Sequence, residues 1–194
     1  MARNKKKPQP GRLRIVAGKW RSRLLDIAEV PGLRPTSERI RETLFNWLAP
    51  TIAGSRCLDL FAGTGALGLE ALSRGAARVV FVEKSPQAAN TLERNINLVE
   101  AESAATVQRM DAFDFMAQDH SNSFDIIFLD PPFAADMLDD LCRLLDQGSL
   151  LSKSALIYIE EDNARPTANR PTGWQTLRTK VAGNVRYSLL KTGA

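Results

Sequence analysis

Cysteine and histidine, the side chains that most often hold metal ions, are scarce in this sequence. Its 194 residues include two cysteines and one histidine. A tetrahedral metal site needs about four ligands of this kind, and two isolated cysteines cannot form the disulfide framework of a small secreted fold. Cys57 and Cys142 lie in apolar segments and are predicted to be core side chains. We therefore expect a metal-free protein of a reducing compartment, the cytoplasm.

Long apolar runs are also missing. No stretch approaches the roughly 18 apolar residues that a transmembrane helix needs. The charged N-terminal segment is not followed by an apolar stretch, so we expect no secretory signal and no membrane association. Hydrophobic residues make up 44% of the chain, an ordinary share for a globular domain. The length favours a single domain with a small extension, and we expect a monomer.

Positive charge is concentrated at the start of the chain. Residues 1–41 carry 12 lysines and arginines against three acids, a net charge of +9, whereas residues 42–194 carry a net charge of −5. A basic arm on a mildly acidic body indicates a polyanionic partner. For Lys5 to Lys7 alone, a solvated tail without a partner is the alternative.

The basic region divides into two predicted parts. Residues 1–12 are expected to be a disordered tail, and residues 13–35 a small hairpin and linker that precede a main domain over residues 36–194. Basic side chains around Trp20 suit phosphates and a stacked base, although Trp20 packing against the body is an equal alternative. The predicted RNA contacts are Arg12, Arg14, Lys19, Arg21, Arg23, Arg34 and Arg39.

From Thr36 onward, helical and strand patterns alternate. Thr36 is predicted to cap a first helix that buries one face, formed by Ile40, Leu44, Trp47 and Leu48. Strands are predicted at about 56–61, 78–83, 105–109, 124–130, 155–160, 174–181 and 185–190, and further helices at about 66–74, 86–98, 112–118 and 134–146. A polar loop over 163–173 precedes the last two strands. This order predicts an α/β fold: a doubly wound, mostly parallel seven-stranded sheet that closes with a C-terminal antiparallel hairpin.

The first motif follows the first strand of the main domain. Its glycines have G-x-G-x-x-G spacing: Gly63, Gly65 and Gly68. Small residues let the main chain approach a ligand at the start of a helix, but the same spacing describes dinucleotide sites. Asp59 inside the strand favours S-adenosylmethionine, because a carboxylate there can reach a cationic amino acid tail. Glu83 at the end of the next strand is placed for ribose hydroxyls, a feature that nicotinamide enzymes share. A tight turn with a surface acid is the remaining alternative.

The second motif is Asp-Pro-Pro-Phe at the end of a buried strand. The strand delivers Asp130 to its carboxyl end, where ligands bind in such sheets, and Pro131 and Pro132 hold the backbone extended. The Asp130 carboxylate and the Pro131 carbonyl would accept the two hydrogens of an exocyclic amine and aim its lone pair at a sulfonium methyl. Phe133 would stack on the base. The alternative is a proline-stiffened turn without a function.

A third segment completes the predicted cofactor site. Asp111 follows the third strand and is placed to accept a hydrogen bond from an adenine amino group, with Ala112 or Phe113 over the ring. An ordinary helix cap is the alternative for Asp111. The predicted cofactor contacts are Asp59, Phe61, Ala62, Gly63, Gly65, Glu83, Lys84, Asp111 and Ala112. The predicted catalytic residues are Asp130, Pro131, Pro132 and Phe133.

With these motifs the chain resembles the RsmD family of class I S-adenosylmethionine-dependent methyltransferases. The resemblance runs from about Arg14 to Leu190. It includes the segments of residues 15–21, 33–42, 59–65, 130–133 and 182–183. Two of these segments identify only an amino-methylating superfamily, and the Arg-Pro-Thr stretch within 33–42 narrows it to this family. The resemblance implies methylation of guanine N2 in 16S rRNA, at guanine 966, during ribosome assembly. It also implies cofactor contacts at Asp59, Gly63, Glu83 and Asp111, and target contacts at Asp130, Pro131 and Phe133.

Three other interpretations stay open on the sequence. A DNA adenine-N6 methyltransferase uses a similar Asp-Pro-Pro loop, but no stretch here is long enough for a separate target-recognition domain. A nicotinamide-dependent oxidoreductase would use the glycine motif and leave Asp-Pro-Pro-Phe unexplained. A non-catalytic rRNA-binding assembly factor would leave the cofactor motifs without a role.

Overall fold

The computed structural model describes residues 11–31, 35–118, 120, 123–133 and 136–193. Residues 1–10 of the predicted tail and the predicted RNA contact Arg34 lie outside these ranges. The strands are β1 (Arg12–Arg14), β2 (Leu24–Asp26), β3 (Arg56–Asp59), β4 (Arg78–Val82), β5 (Ala105–Gln108), β6 (Phe124–Leu129), β7 (Leu151–Asp162), β8 (Gln175–Ala182) and β9 (Val185–Lys191). The helices are α1 (Glu38–Leu48), α2 (Ala66–Ser73), α3 (Pro86–Leu98), α4 (Ala112–Met116) and α5 (Leu138–Gln147).

Seven of the strands form one sheet in the order β5-β4-β3-β6-β7-β9-β8. The pairs from β5 to β7 are parallel, whereas β9 runs antiparallel to both β7 and β8. β1 and β2 form a separate antiparallel pair. The predicted α/β fold, with its C-terminal and N-terminal hairpins, is confirmed. The strand order reverses between β3 and β6, and in open α/β sheets ligands bind beyond the carboxyl ends of the strands at such a point.

The helices cover both faces of the sheet. On one face, α1, α2 and α3 share a buried cluster that includes Leu44, Leu69 and Leu92. On the other face, α4 and α5 contribute Phe115 and Leu145 to a second cluster. With both faces covered, the central strands are buried on two sides, which is why they read as nearly continuous apolar runs in the sequence.

The two cysteines lie inside the protein as expected. Cys57 and Cys142 are both buried and free. Burial raises the pKa of the Cys57 thiol to about 12, so this thiol stays protonated at neutral pH.

Among the described residues, no group of His, Cys, Asp and Glu side chains is arranged to hold a metal ion. Within the same ranges, every helix is too short or too polar to span a bilayer.

Two elements begin four residues away from their predicted first residues, and both differences have backbone reasons. β7 begins at Leu151 rather than Ala155, because Ser154 adopts a left-handed φ of 62° and the pairing with β6 shifts register there. Such an irregularity lets a strand continue through a polar stretch that reads as a turn. α5 begins at Leu138, after Asp136 at a left-handed φ of 46°, which a right-handed helix cannot include. The predicted start of this helix at Ala134 lies outside the described residues.

The cap of α1 is Ser37, and the prediction of Thr36 was wrong. The Ser37 side chain accepts a hydrogen bond from the Ile40 backbone N–H at 3.3 Å, the usual N-cap geometry. The Thr36 hydroxyl instead donates to Asp130. The predicted core face of α1 is buried except for Trp47, which is half-buried and stacks on Tyr187 with 5.5 Å between ring centroids.

The N-terminal hairpin is fastened to α2 at its turn. Arg12, predicted to end the tail, is the first residue of β1. Gly18 has a φ of 85° and lies against the Ser73 carbonyl, where any Cβ would overlap it. The next residue, Lys19, donates its backbone N–H to that carbonyl at 2.7 Å. Trp20 packs against the core, as the packing interpretation of this residue predicted.

The buried carboxylate of Glu70 forms hydrogen bonds to the hairpin and to side chains of α1 and of the end of α2. Glu70 of α2 is 0% exposed and accepts backbone hydrogen bonds from Val16 and Ala17. It also accepts from Arg41 Nη1 at 3.0 Å and from Arg74 Nε at 2.8 Å. We call these five residues the Glu70 cluster. A buried carboxylate is stable only when its oxygens are hydrogen-bonded and its charge is paired, and the cluster meets both conditions.

Arg41 extends the cluster to the segment before α1. It is also 0% exposed, and it donates to the backbone carbonyls of Thr36 at 3.1 Å and Arg14 at 2.8 Å. Burial lowers the pKa of Arg41, and the neighbouring Glu70 charge opposes that shift. The hairpin, the Thr36 segment and α2 therefore share one desolvated ion pair.

We predict that Glu70→Gln destabilises the fold far more than an equivalent change at the surface. The substitution removes one partner of a buried ion pair and leaves the Arg41 charge uncompensated, which costs about 3–5 kcal/mol of unfolding free energy. Glu93→Gln is the matched control, because Glu93 pairs with Arg109 where both side chains are exposed, and such pairs contribute about 0–1 kcal/mol. Urea unfolding of the two variants measures the difference. Equal losses would contradict a structural role for the Glu70 cluster.

Candidate active site

The two sequence motifs meet at the carboxyl edge of the sheet. β3 and β6 are parallel neighbours, with Asp59 opposite Phe128. Beyond the end of β3, the Leu60 backbone N–H still donates to the Phe128 carbonyl at 3.2 Å. The loop after β3 and the Asp130–Phe133 loop after β6 therefore leave the sheet side by side.

The glycine loop is built from backbone conformations that other residues rarely adopt. Gly63 and Gly65 have φ of 52° and 81°, and a Cβ on Gly65 would overlap Leu92. Gly65 is the N-cap of α2 and offers no side chain to the first N–H groups of the helix. Gly68 has a different role, since a Cβ there would overlap the Phe81 ring of β4. The first two glycines shape the loop, and the third permits close packing of helix on strand.

Asp59 is fixed beneath this loop. It is 2% exposed, and its Oδ2 accepts the Gly68 backbone N–H at 3.0 Å. Burial raises the pKa of Asp59 to about 7, and the charges of Asp130 and Glu83 add to the rise. Asp59 thus lies where three acids share one electrostatic environment. Its contact with a cationic amino acid tail stays a prediction.

Glu83 connects the loop after β4 to the glycine loop. One carboxylate oxygen accepts the Gly63 backbone N–H at 2.8 Å, and the other accepts the Ser85 backbone N–H at 2.7 Å. The side chain is half-buried, so it borders the space above the strand ends. Its proposed contact with ribose hydroxyls stays a prediction.

Asp111 and Lys84 lie further along the same edge. Asp111 caps α4, with its Oδ1 accepting the Phe113 backbone N–H at 2.9 Å. The helix-cap alternative is therefore realised. The other oxygen, Oδ2, lies 3.7 Å from Lys84 Nζ, and Ala112 beside it is buried. Contacts of these three residues with an adenine ring stay predictions.

Phe61 and Ala62 form the first part of the glycine loop. Phe61 is half-buried and packs against the second core cluster. Ala62 is buried and donates its backbone N–H to the Val82 carbonyl at 3.0 Å. These contacts anchor the loop between β3 and β4, as a cradle for a ligand requires.

The Asp-Pro-Pro-Phe loop presents its residues at different depths. Pro131 is buried, Pro132 is exposed, and Asp130 and Phe133 are half-buried. Asp130 Oδ2 accepts a hydrogen bond from Thr36 Oγ1 at 3.1 Å. Burial raises the pKa of Asp130 to about 6, while the Thr36 hydroxyl favours its ionised form. The loop therefore holds a carboxylate whose orientation is fixed by a hydroxyl from another part of the chain.

Sequence reasoning missed two side chains beside Asp130. The sequence pattern predicts Thr36 only as a helix cap and Glu160 only as the last residue of a strand. Glu160 is 4% exposed and accepts a hydrogen bond from the Tyr158 hydroxyl at 2.7 Å. The sequence does place an acid near the carboxyl end of β7, but its position beside Asp130 depends on the register between β6 and β7.

The acids at this edge fit a cationic cofactor. Asp59, Glu83 and Asp130 come from three adjacent strands, and the latter two raise the pKa of Asp59. Like charges held this close in a desolvated site are stabilised by an added positive charge. A sulfonium compound with an amino acid tail supplies one, so the residues present suit S-adenosylmethionine.

The predicted RNA contacts within the described ranges lie on the hairpin and at the start of α1. All of them are exposed: Arg12, Arg14, Lys19, Arg21, Arg23 and Arg39. Arg14 lies 3.7 Å from Glu38, and Arg23 donates to the Leu98 carbonyl. The Arg14 carbonyl is bonded to Arg41, which in turn holds Thr36 beside Asp130. The basic surface is thus connected to the Asp-Pro-Pro-Phe loop by a short series of contacts, and its binding of RNA stays a prediction.

Known proteins share both sequence and structure with this chain. It is 45% identical over 186 residues to the ribosomal RNA small subunit methyltransferase D of Escherichia coli K12, covering 95% of this chain and 92% of that protein. A solved structure, a putative methyltransferase yhhF from Escherichia coli, superposes with a TM-score of 0.88 at 41% identity, covering 95% of this chain and 99% of that one. An RNA methyltransferase from Salinibacter ruber in complex with S-adenosyl-L-homocysteine shares the fold, with a TM-score of 0.63 at 17% identity over 82% of this chain and 94% of that one.

The family assignment follows from the length of the match. The model of the family described as Conserved hypothetical protein 95 covers residues 13–191, both hairpins and both motifs included. Together with the methyltransferase relative, this match decides against the nicotinamide oxidoreductase interpretation of the glycine motif. It also confirms the resemblance on which the sequence prediction rested: the chain belongs to this family, the RsmD methyltransferases.

Proposed function

We propose that this protein transfers a methyl group from S-adenosylmethionine to the exocyclic N2 of a guanine in 16S rRNA. The observation that carries the proposal is the position of Asp130, at the carboxyl end of β6 and beside the glycine loop of β3. The residues to which we assign the amine acceptor and the cradle for the methyl donor therefore lie at one edge of the sheet. The protein's cofactor is S-adenosylmethionine.

The donor would be held by the edge formed by β3, β4 and β5. Asp59 would face its amino acid tail, the main chain at Gly63 and Gly65 would pass beneath it, and Glu83 would accept from its ribose. Asp111 and Ala112 would border its adenine. When bound, it supplies a methyl carbon made electrophilic by a sulfonium.

Asp130 and the Pro131 carbonyl would hold the target amine. Such a nitrogen is conjugated with its ring, so its lone pair is poorly available for attack. Two acceptors on its two hydrogens favour a pyramidal nitrogen and aim the lone pair toward the donor, which is catalysis by positioning and electrostatics. Half-buried Phe133 would stack on the base once it leaves its helix or loop.

The substrate class is proposed from the relatives together with the basic surface. The named relative is a methyltransferase of small-subunit ribosomal RNA, and it matches this chain along nearly its whole length. The hairpin adds exposed arginines and lysine that suit phosphates. Guanine 966 is the finer assignment that we propose within 16S rRNA.

We predict that Asp130→Ala abolishes methyl transfer and leaves binding of S-adenosylhomocysteine, which lacks the sulfonium charge, intact. Removing one preorganised partner of the reacting group typically lowers kcat by about 10²–10³-fold. The measurement is transfer of labelled methyl to rRNA, with calorimetry of S-adenosylhomocysteine binding as a check on the fold. Asp140→Ala is the matched control, because Asp140 lies exposed on α5 and pairs with neighbouring Arg143. Undiminished turnover by Asp130→Ala would refute the assigned role.

We predict that the product is N2-methylguanosine in 16S rRNA. The test is digestion of the methylated nucleic acid to nucleosides, followed by mass mapping of rRNA from cells with and without the protein. Methyladenine in DNA would favour the DNA adenine-N6 alternative instead. Absence of any methyl transfer would favour the non-catalytic assembly factor.

We predict that the hairpin supplies side chains that bind RNA phosphates. The double variant Lys19→Gln and Arg21→Gln should weaken RNA binding and flatten its salt dependence by about one unit of slope for each phosphate that is no longer neutralised. Arg143→Gln on α5, on the other side of the sheet, serves as the control. A salt slope that is the same for both variants and the unmodified protein would exclude these side chains from the interface.

A further inference from the structure

A second carboxyl lies beside Asp130 and takes no part in the steps described above. β6 and β7 are parallel neighbours with Leu129 opposite Ile159. Asp130, which directly follows β6, therefore lies next to Glu160, which is still within β7 and pairs with Tyr187 of β9. Glu160 is nearly inaccessible to solvent. A carboxyl group in such a position must either be protonated or have its negative charge compensated by hydrogen bonds or a nearby cation.

The groups that face this pair from the neighbouring elements are hydroxyls and acids. Thr36, from the segment before α1, donates to Asp130 Oδ2, and Tyr158 of β7 donates to Glu160 Oε1. Buried Tyr187 of β9 lies opposite Glu160 in register. Asp59 lies on the side of the glycine loop and senses the Asp130 charge. Among the described residues, the hydrogen bonds to these two carboxyls come from hydroxyl groups and not from a cationic side chain.

Two carboxyls in such a site cannot both ionise at neutral pH, because their charges repel and burial weakens the hydration of each. The two positions are not equivalent. Burial and then the Asp130 charge raise the pKa of Glu160, and burial raises the pKa of Asp130. Hydroxyl groups of Tyr158 and Thr36 oppose the rise at Glu160, and Thr36 opposes it at Asp130 as well. The difference between the two sites is exposure, since Asp130 is half-buried whereas Glu160 is 4% exposed.

We propose, on the basis of the function proposed above, that Asp130 and Glu160 hold a single proton on Glu160, so that Asp130 meets the target amine as a carboxylate. Glu160 and Thr36 are then positioning residues, which act through Asp130 and touch neither donor nor base. Glu160 stores the proton in a place where the amine cannot reach it. Thr36 fixes the orientation of the acceptor that remains charged.

The direct test is a carboxyl titration of the full-length protein by carbon-13 NMR between pH 4 and 9. We expect Glu160 to titrate at a higher pH than Asp130, with both midpoints above the ordinary carboxyl range and with the ionisation of each visible in the titration of the other. Asp130→Asn removes the like charge and should lower the midpoint of Glu160 by about one unit or more, and Glu160→Gln should leave Asp130 titrating in one step. Asp146→Asn is the control, since Asp146 on α5 accepts from Trp174, and it should leave both midpoints in place. A Glu160 midpoint at or below that of Asp130, or one that is unchanged in Asp130→Asn, would overturn the proposal.

Activity provides the second arm. Thr36→Val removes the hydroxyl donor and should shift the acid limb of kcat upward by about one pH unit, because hydrogen bonds to charged groups favour ionisation by about that much. Thr36→Ser keeps the hydroxyl and should restore the profile. An acid limb that stays in place in Thr36→Val would remove Thr36 from the proposal. The titration is measured without RNA and without methyl transfer. A titration result that contradicts this proposal is therefore distinguishable from a result that contradicts the proposed function.

Discussion

The buried ion pair between Arg41 and Glu70 determines how the N-terminal hairpin and the segment before α1 pack against the main domain. Neither side chain contacts solvent, and together they satisfy backbone groups from the hairpin and from the segment before α1. A pair of this kind contributes little net stability compared with apolar side chains of the same volume, but losing one member is costly. Its effect here is geometrical. It sets the path of the chain at Thr36, and Thr36 reaches Asp130.

The two loops of the candidate site, the glycine loop and the Asp-Pro-Pro-Phe loop, are therefore held in place by different contacts. The glycine loop is held by the sheet itself, through Leu60, Ala62 and the carboxylate of Glu83. The Asp-Pro-Pro-Phe loop is held partly from outside the sheet, by a hydroxyl that depends on the Glu70 cluster. Strand order brings the glycine loop and the Asp-Pro-Pro-Phe loop close together. The orientation of the Asp130 carboxylate depends on Thr36, in the segment before α1. An enzyme that works by positioning needs both.

Much of this could be read from the sequence, and the failures have physical causes. Alternating apolar segments predicted the sheet, and the two motifs predicted which strand ends would meet, because both signals are local. The partnership of Glu160 with Asp130 depends on the register between β6 and β7, which no local pattern encodes. The early start of β7 depends on a left-handed Ser154. Arg41 and Glu70 did carry a signal: each is a charge on an apolar helical face, and a charge there needs a partner.

The crowding of acids at the strand ends has a thermodynamic consequence for ligand binding. Asp59, Asp130 and Glu160 all have pKa values raised by burial, so the folded protein retains protons near neutrality that free carboxylic acids would have lost. A cation that enters this site must lower those pKa values, and its arrival therefore expels protons into the buffer. By linkage, affinity for a positively charged ligand climbs with alkalinity across the interval in which these groups titrate, and the heat of association varies with the ionisation enthalpy of the buffer.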